Sequence, residues 1–121
     1  MKKDKPYRLP LGLELLYEDR ELIVVNKPSG LLTTAAGAER DKTAYWILCE
    51  YLRKRGEKRR VAVVHRLDKD TSGVLVFTKS EASKRALMEN WNEVVLERRY
   101  VALAEGDFPE AEGSIDEPLG E

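Results

Sequence analysis

The chain has 121 residues and a mass of 13.8 kDa, which suits one domain with a modest core. Apolar residues make up 42% and charged residues 36%, so collagen-like, low-complexity and wholly disordered classes are excluded. The net charge of −1 hides a segregation: the seven acids between Glu105 and Glu121 face no Lys or Arg there, leaving residues 1–104 at +6. No apolar run approaches the ~20 residues of a membrane span. The charged start, Met1 to Pro6, is not followed by a signal-peptide stretch. Cys49, the single cysteine, forms no internal disulfide and fits a reducing compartment, the cytoplasm. With one histidine, His65, it also excludes a Cys/His zinc site within one chain.

Leu13–Tyr17 and Leu22–Val25 are apolar runs split by Glu18-Asp19-Arg20-Glu21, which predicts a β-hairpin. Its second strand should stop at the turn formers Asn26-Lys27-Pro28-Ser29-Gly30. Ala44, Ile47, Leu48, Tyr51 and Leu52 recur at helical spacing and predict a helix over 43–55. Around its end Arg53, Lys54, Arg55, Lys58, Arg59 and Arg60 crowd against one acid, Glu57. Such a cluster is either a solvated helix end or a phosphate-binding patch, and composition does not choose between them. Val61–Val64 predicts a short strand. Val74–Thr78 predicts another, continuous enough to be buried on both faces. Ser80 is a good N-cap for a helix over 81–92, whose Ala82, Ala86, Leu87 and Trp91 share a face. Tyr100–Ala104 predicts a last strand, ended by Glu105-Gly106, and Pro109–Gly113 a loop.

Between the strands at 61–64 and 74–78 lie nine residues, His65-Arg66-Leu67-Asp68-Lys69-Asp70-Thr71-Ser72-Gly73. That exceeds what a hairpin needs. Most are polar or ionisable, and apolar strands hold both ends, the usual mounting for catalytic groups. A solvated hairpin tip would have similar composition, so the residues alone leave both readings open.

The HRLDKDTSG segment followed by VLVFTKS closely resembles the signature of the RluA family of pseudouridine synthases. NKPSGLLTT (26–34), RRYVALAEG (98–106) and GSIDEPLG (113–120) resemble three further family segments in the same order, with Arg98 where Lys is usual. His65 stands where a related family has Gly, which points to the RluA branch. The resemblance implies an α+β fold, a mixed and mostly antiparallel sheet with flanking helices. Residues 1–12 are then an N-terminal extension, and 13–121 the N-terminal portion of the catalytic domain.

It also implies site-selective isomerisation of uridine to pseudouridine in ribosomal or transfer RNA. No cofactor or metal is expected, and the expected partner is RNA, with no membrane and no obligate protein partner. By the resemblance Asp68 is the catalytic nucleophile. Arg66 enters the space that the extruded base leaves, and Tyr100 packs on the uracil. His65, Leu67, Thr71, Ser72 and Gly73 support the loop, and Asn26, Lys27 and Pro28 shape the segment beside it. Arg66 and Lys69, close in sequence, are expected to favour the Asp68 carboxylate. The family also carries a later Thr-Gly-Arg…His-Gln-Ile-Arg stretch, whose arginine pairs with the aspartate; residues 1–121 contain neither Thr-Gly-Arg nor His-Gln. The expectation is therefore an N-terminal fragment, inactive by itself.

Two competing readings follow from the same residues. Asp68-Lys69-Asp70-Thr71 is close to the Asp-x-Asp-x-Thr motif of Mg²⁺-dependent haloacid-dehalogenase-type phosphatases, but Thr71 stands one place early for it, and there the motif directly follows a strand, whereas here His65, Arg66 and Leu67 intervene. A chain that kept only the basic surface would be a non-catalytic RNA-binding remnant.

Overall fold

The structure, a computed structural model, describes residues 7–118. Among them are five strands: β1 (Tyr7–Arg8), β2 (Glu14–Glu18), β3 (Leu22–Lys27), β4 (Ala62–Val63) and β5 (Gly73–Thr78). They form one sheet in the order β1-β2-β3-β5-β4, and every neighbouring pair is antiparallel. The only parallel pairing among the described residues is an isolated bridge between Leu32 and Thr43. Three α-helices, α1 (Ala44–Lys54), α2 (Glu81–Glu89) and α3 (Trp91–Val94), complete the α+β architecture. The sheet starts at Tyr7, inside the stretch read above as an N-terminal extension.

The β2–β3 hairpin closes through Asp19, whose Oδ1 accepts the N–H groups of Glu21 (2.8 Å) and Leu22 (2.7 Å). Pairing sets which side chains face inward. Val25 lies opposite Leu15 and Leu75, and Ile23 opposite Phe77, all buried on one face. A bulge between Leu15 and Tyr17 then turns Leu16 and Tyr17 outward. Helix α1 covers the inward face. Thr43 caps it, its Oγ1 accepting the Trp46 N–H at 3.1 Å. Ala44, Ile47, Leu48 and Leu52 then enter one core cluster with Leu13, Leu31, Val61, Leu67 and the strand residues.

Four expectations change. Strand β3 runs on through Asn26 and Lys27, because β5 supplies partners at Val74 and Gly73; Pro28, which has no N–H, follows its last residue. Strand β5 is not buried on both faces: Leu75 and Phe77 point into the core, while Val74 is 58% exposed. A run of apolar residues thus sits in an antiparallel sheet with one open face. The helix over 81–92 breaks at Asn90, whose side-chain Nδ2 donates to the Ala86 carbonyl (2.9 Å) and whose N–H returns to the last turn of α2. No residue of α2 is buried. Tyr100–Ala104 forms no strand. A strand is held by a neighbour's backbone groups, and none is hydrogen-bonded to this segment among the described residues.

Glu18 ties the layers together. Its carboxylate accepts hydrogen bonds from Tyr51 Oη (2.8 Å) and Arg55 Nη1 (2.8 Å) of the α1 end, and from the buried Lys79 after β5. Burial alone would raise the Glu18 pKa. The hydrogen bonds from Lys79, Tyr51 and Arg55 outweigh it and hold the carboxyl below the usual glutamate range. Removing one member of a buried charge pair leaves the other desolvated. Glu18→Leu should therefore cost about 3–5 kcal/mol in urea unfolding, and adding Lys79→Met should restore much of it. A single variant within about 1 kcal/mol of the unsubstituted chain would show that Glu18 is not the tie.

Candidate active site

The loop between β4 and β5 carries Asp68, and the segment that follows β3 holds it from below. Lys27 is fully buried at the end of β3. An ammonium has three N–H donors, and here each meets a backbone carbonyl: Pro28 (3.1 Å), Leu31 (2.5 Å) and Lys69 (2.9 Å). The last of these belongs to the Asp68 loop. Ser29 Oγ donates to the Asp70 carbonyl (2.9 Å), and the Gly30 N–H donates to the Lys69 carbonyl (2.8 Å). Gly30 sits at φ +95°, a backbone region that a side chain would strain. Deeper in, Thr33 Oγ1 donates to the Leu67 carbonyl (2.9 Å) and accepts the Leu67 N–H (3.3 Å). Leu67 itself is anchored in the core. Within the loop, the Thr71 N–H returns to the Asp68 carbonyl (3.1 Å), and Gly73 opens β5 at φ +140°. The Asn26 Nδ2 donates to Glu14 Oε1 (3.0 Å), across the hairpin.

The Asp68 side chain is exposed at the top of this framework and makes no hydrogen bond or ion pair among the described residues. Arg66 and Lys69, expected to favour its carboxylate, are also exposed and make no ion pair with it. The cation beneath the loop is Lys27. Burial pushes the Lys27 ammonium below the usual lysine range, while the Asp70 and Asp68 carboxylates pull the other way.

On the open face of the sheet, a cavity of about 850 Å³ is lined by His65, Leu67 and the Asp70–Gly73 stretch on one side. Trp91, Arg98 and Tyr100 line the other. The His65 ring lies 5.8 Å from that of Trp91, and the Arg98 guanidinium is 6.0 Å from the rings of both Trp91 and Tyr100. Arg98 Nη2 also donates to Tyr100 Oη at 3.3 Å. Tyr100 is 56% exposed. The structure thus gathers His65, Leu67, Thr71, Ser72, Gly73 and Tyr100 around one space. It sets Asp68 and Arg66 on the exposed part of the same loop, outside that lining, with Lys27 and Pro28 beneath.

The model of a family described as RNA pseudouridylate synthase matches residues 21–121. The chain belongs to that family. Its relatives place it in the RluA-type branch. It is 42% identical over 115 residues to an uncharacterized RNA pseudouridine synthase of Mycoplasma genitalium, covering 95% of this chain and 35% of that one. It is 34% identical over 115 residues to the ribosomal large subunit pseudouridine synthase D of Escherichia coli K12, covering 95% and 34%. The structure of human RNA pseudouridylate synthase domain containing 4 superposes with a TM-score of 0.50 at 32% identity, over 64% of this chain and 28% of that one. The chain therefore spans about a third of the length of these relatives. The match runs through the whole Asp68 loop and decides against the phosphatase reading of Asp68–Thr71.

For this family member, Ser29, Gly30 and Thr33 are the supporting residues that sequence reading passed over. They lie in NKPSGLLTT, but nothing in one sequence says that their partners are the carbonyls of residues 67, 69 and 70. Trp91 was legible only as a helix-face residue. Replacing Lys27 by Met keeps the apolar stem and strands three carbonyls. Lys27→Met should lose about 2 kcal/mol in urea unfolding and speed amide exchange at Gly30. Unchanged exchange there would show that the loop is held without the ammonium.

His65 supplies a pH signature. Its Nε2 accepts the Val76 N–H (3.0 Å), so the neutral ring carries its proton on Nδ1, which is buried without a partner among the described residues. Burial, then the Arg98 charge, holds the imidazole below its ordinary pKa of about 6.5. Protonation would set two donors, Nε2–H and Val76 N–H, against each other. The stability that neutral His65 contributes is therefore present above about pH 6.5 and lost as pH falls through the lower folded value. Thermal unfolding should show a decline over that window that His65→Gln flattens; an identical decline in the variant would exclude His65 as its source.

Proposed function

We propose that this chain carries the catalytic-aspartate part of an RNA pseudouridine synthase that isomerises specific uridines in ribosomal or transfer RNA, in the cytoplasm. The observation that supports this best is the mounting of Asp68. An exposed carboxylate stands on a loop whose backbone is tied at residues 67, 69 and 70 to a second segment. Such a mounting holds a nucleophile still without occupying its oxygens.

The reaction needs little else from the chain. The C1′–N1 bond breaks, C1′ joins C5 of the rotated uracil, N1 gains a proton and C5 loses one. Atoms balance without hydrolysis or a change of oxidation state, so the demand is for one nucleophile and a sheltered place for a free base. Asp68 is assigned the nucleophile's role, Arg66 the filling of the helix from which the base is extruded, and Tyr100 the face on which the uracil packs. Thr71, Ser72 and Gly73 bound the cavity that Tyr100 also lines, which gives the base a place to lie.

Because C5 must lose its hydrogen, RNA labelled with tritium at uridine C5 releases tritium to water on each turnover. In the complete gene product, Asp68→Asn should cut that release by on the order of 10³ or more. The unfolding midpoint should stay put, since Asp68 is exposed and unbonded. Near-normal release would sink the assignment. RNA binding that needs neither Asp68 nor any tritium release would favour the non-catalytic binder.

A further inference from the structure

We propose that Lys54, at the end of α1, and Lys58 and Arg60, between α1 and β4, contact backbone phosphates of the RNA that flanks the target uridine; this rests on the RNA reading above. Six cations fall between residues 53 and 60, and the structure divides them in two. Three are committed to carboxylates. Arg53 grips Glu50 with a two-pronged bond (2.9 and 3.0 Å), Arg55 is bound to Glu18 (2.8 Å), and Arg59 to Glu57 (3.0 Å). Lys54, Lys58 and Arg60 are exposed and make no salt bridge among the described residues, although the Lys54 charge lies near enough to Glu50 to help hold its carboxyl below the usual range.

The turn that presents them is closed and anchored. The N–H groups of Arg55 and Glu57 return to the Leu52 carbonyl, and that of Gly56 to Arg53, with Gly56 at φ +82°. Arg55 fastens it to the sheet through Glu18. A helix C-terminus favours cations in its last turn, which accounts for Arg53 and Lys54. Lys58 and Arg60 lie beyond the helix, where its dipole gives them no reason to gather. The acids in this stretch, Glu50 and Glu57, are already engaged by the paired arginines. What remains is a local excess of three positive charges.

Its position suits the proposed chemistry. Strand β4 leads straight from Arg60 to the Asp68 loop. Asp68 lies eight positions after Arg60, a reach of at most ~29 Å, less than the ~34 Å of one turn of a DNA duplex. A strand whose uridine reaches Asp68 thus passes within a turn of the patch.

The test is the salt dependence of binding by the 121-residue chain to fluorescein-labelled polyuridylate. Each phosphate contact on a single strand contributes ~0.7 to the slope of log K against log salt, so Lys54→Ser/Lys58→Ser/Arg60→Ser should lower it by about 2. The control Lys42→Ser/Lys84→Ser/Arg85→Ser removes the same charge elsewhere and should keep the slope, with circular dichroism reporting the fold of each. An equal loss in both variants would mean diffuse charge and overturn the patch, as would an unchanged slope in the first. Absent binding by the unsubstituted chain overturns it too, and so does capture by phosphatidylserine vesicles without RNA binding. The patch and the synthase reading fail separately. Tritium release with no slope change removes the patch alone, and a lowered slope without tritium release removes the synthase alone.

Discussion

A buried ammonium bonded only to carbonyls is the constraint around which this protein is arranged. Lys27 cannot reach water, and no carboxylate bonds to it among the described residues. The desolvated charge is tolerable because each N–H meets an oxygen. Two of those oxygens belong to the segment just after β3 and one to the Asp68 loop. The electrostatic need of one side chain thereby brings together two stretches forty residues apart. Thr33, Ser29 and Gly30 repeat the join with neutral hydrogen bonds on either side of it. The loop that carries Asp68 is irregular in backbone, yet it is hydrogen-bonded to a second segment at residues 67, 69 and 70.

That arrangement separates support from chemistry. The groups that hold the loop act through its carbonyls and through Leu67, which is sunk in the core. The Asp68 and Arg66 side chains are exposed and make no hydrogen bond or ion pair among the described residues. Free polar groups on a pinned loop are available to a substrate at small entropic cost. Positive charge is divided in a comparable way. Arg53, Arg55, Arg59 and Lys79 form salt bridges within the fold to Glu50, Glu57 and Glu18, while Lys54, Lys58 and Arg60 form none among the described residues. Formal net charge would show none of this.

The far side of the cavity is less tightly built. Trp91, Arg98 and Tyr100 stack loosely over the open face of the sheet, and the chain from Val95 onward pairs with no strand among the described residues. The α2 helix over that face has no buried residue. Burial therefore falls from the Lys27 side of the site to the Tyr100 side.

Much of this was readable in one dimension. Hydrophobic alternation and helical spacing located the hairpin, α1 and β5, because those elements have local periodicity and local caps such as Thr43 and Ser80. The HRLDKDTSG signature marked out the loop of Asp68, Arg66 and Thr71–Gly73 that β4 and β5 flank, since such a segment is contiguous. The extent of β3, the break at Asn90 and the missing strand at Tyr100–Ala104 were not readable. Each depends on whether a partner is present to take the backbone's hydrogen bonds. Nor could the sequence say that Lys27 holds the Asp68 loop through the Lys69 carbonyl. A lysine at the end of a central strand reaches under a loop 42 residues away. The sequence by itself determined which groups are chemically able to act. Only the tertiary structure decided which of them are held, which are buried and which are left free, because those states depend on distance and desolvation between segments that are remote along the chain.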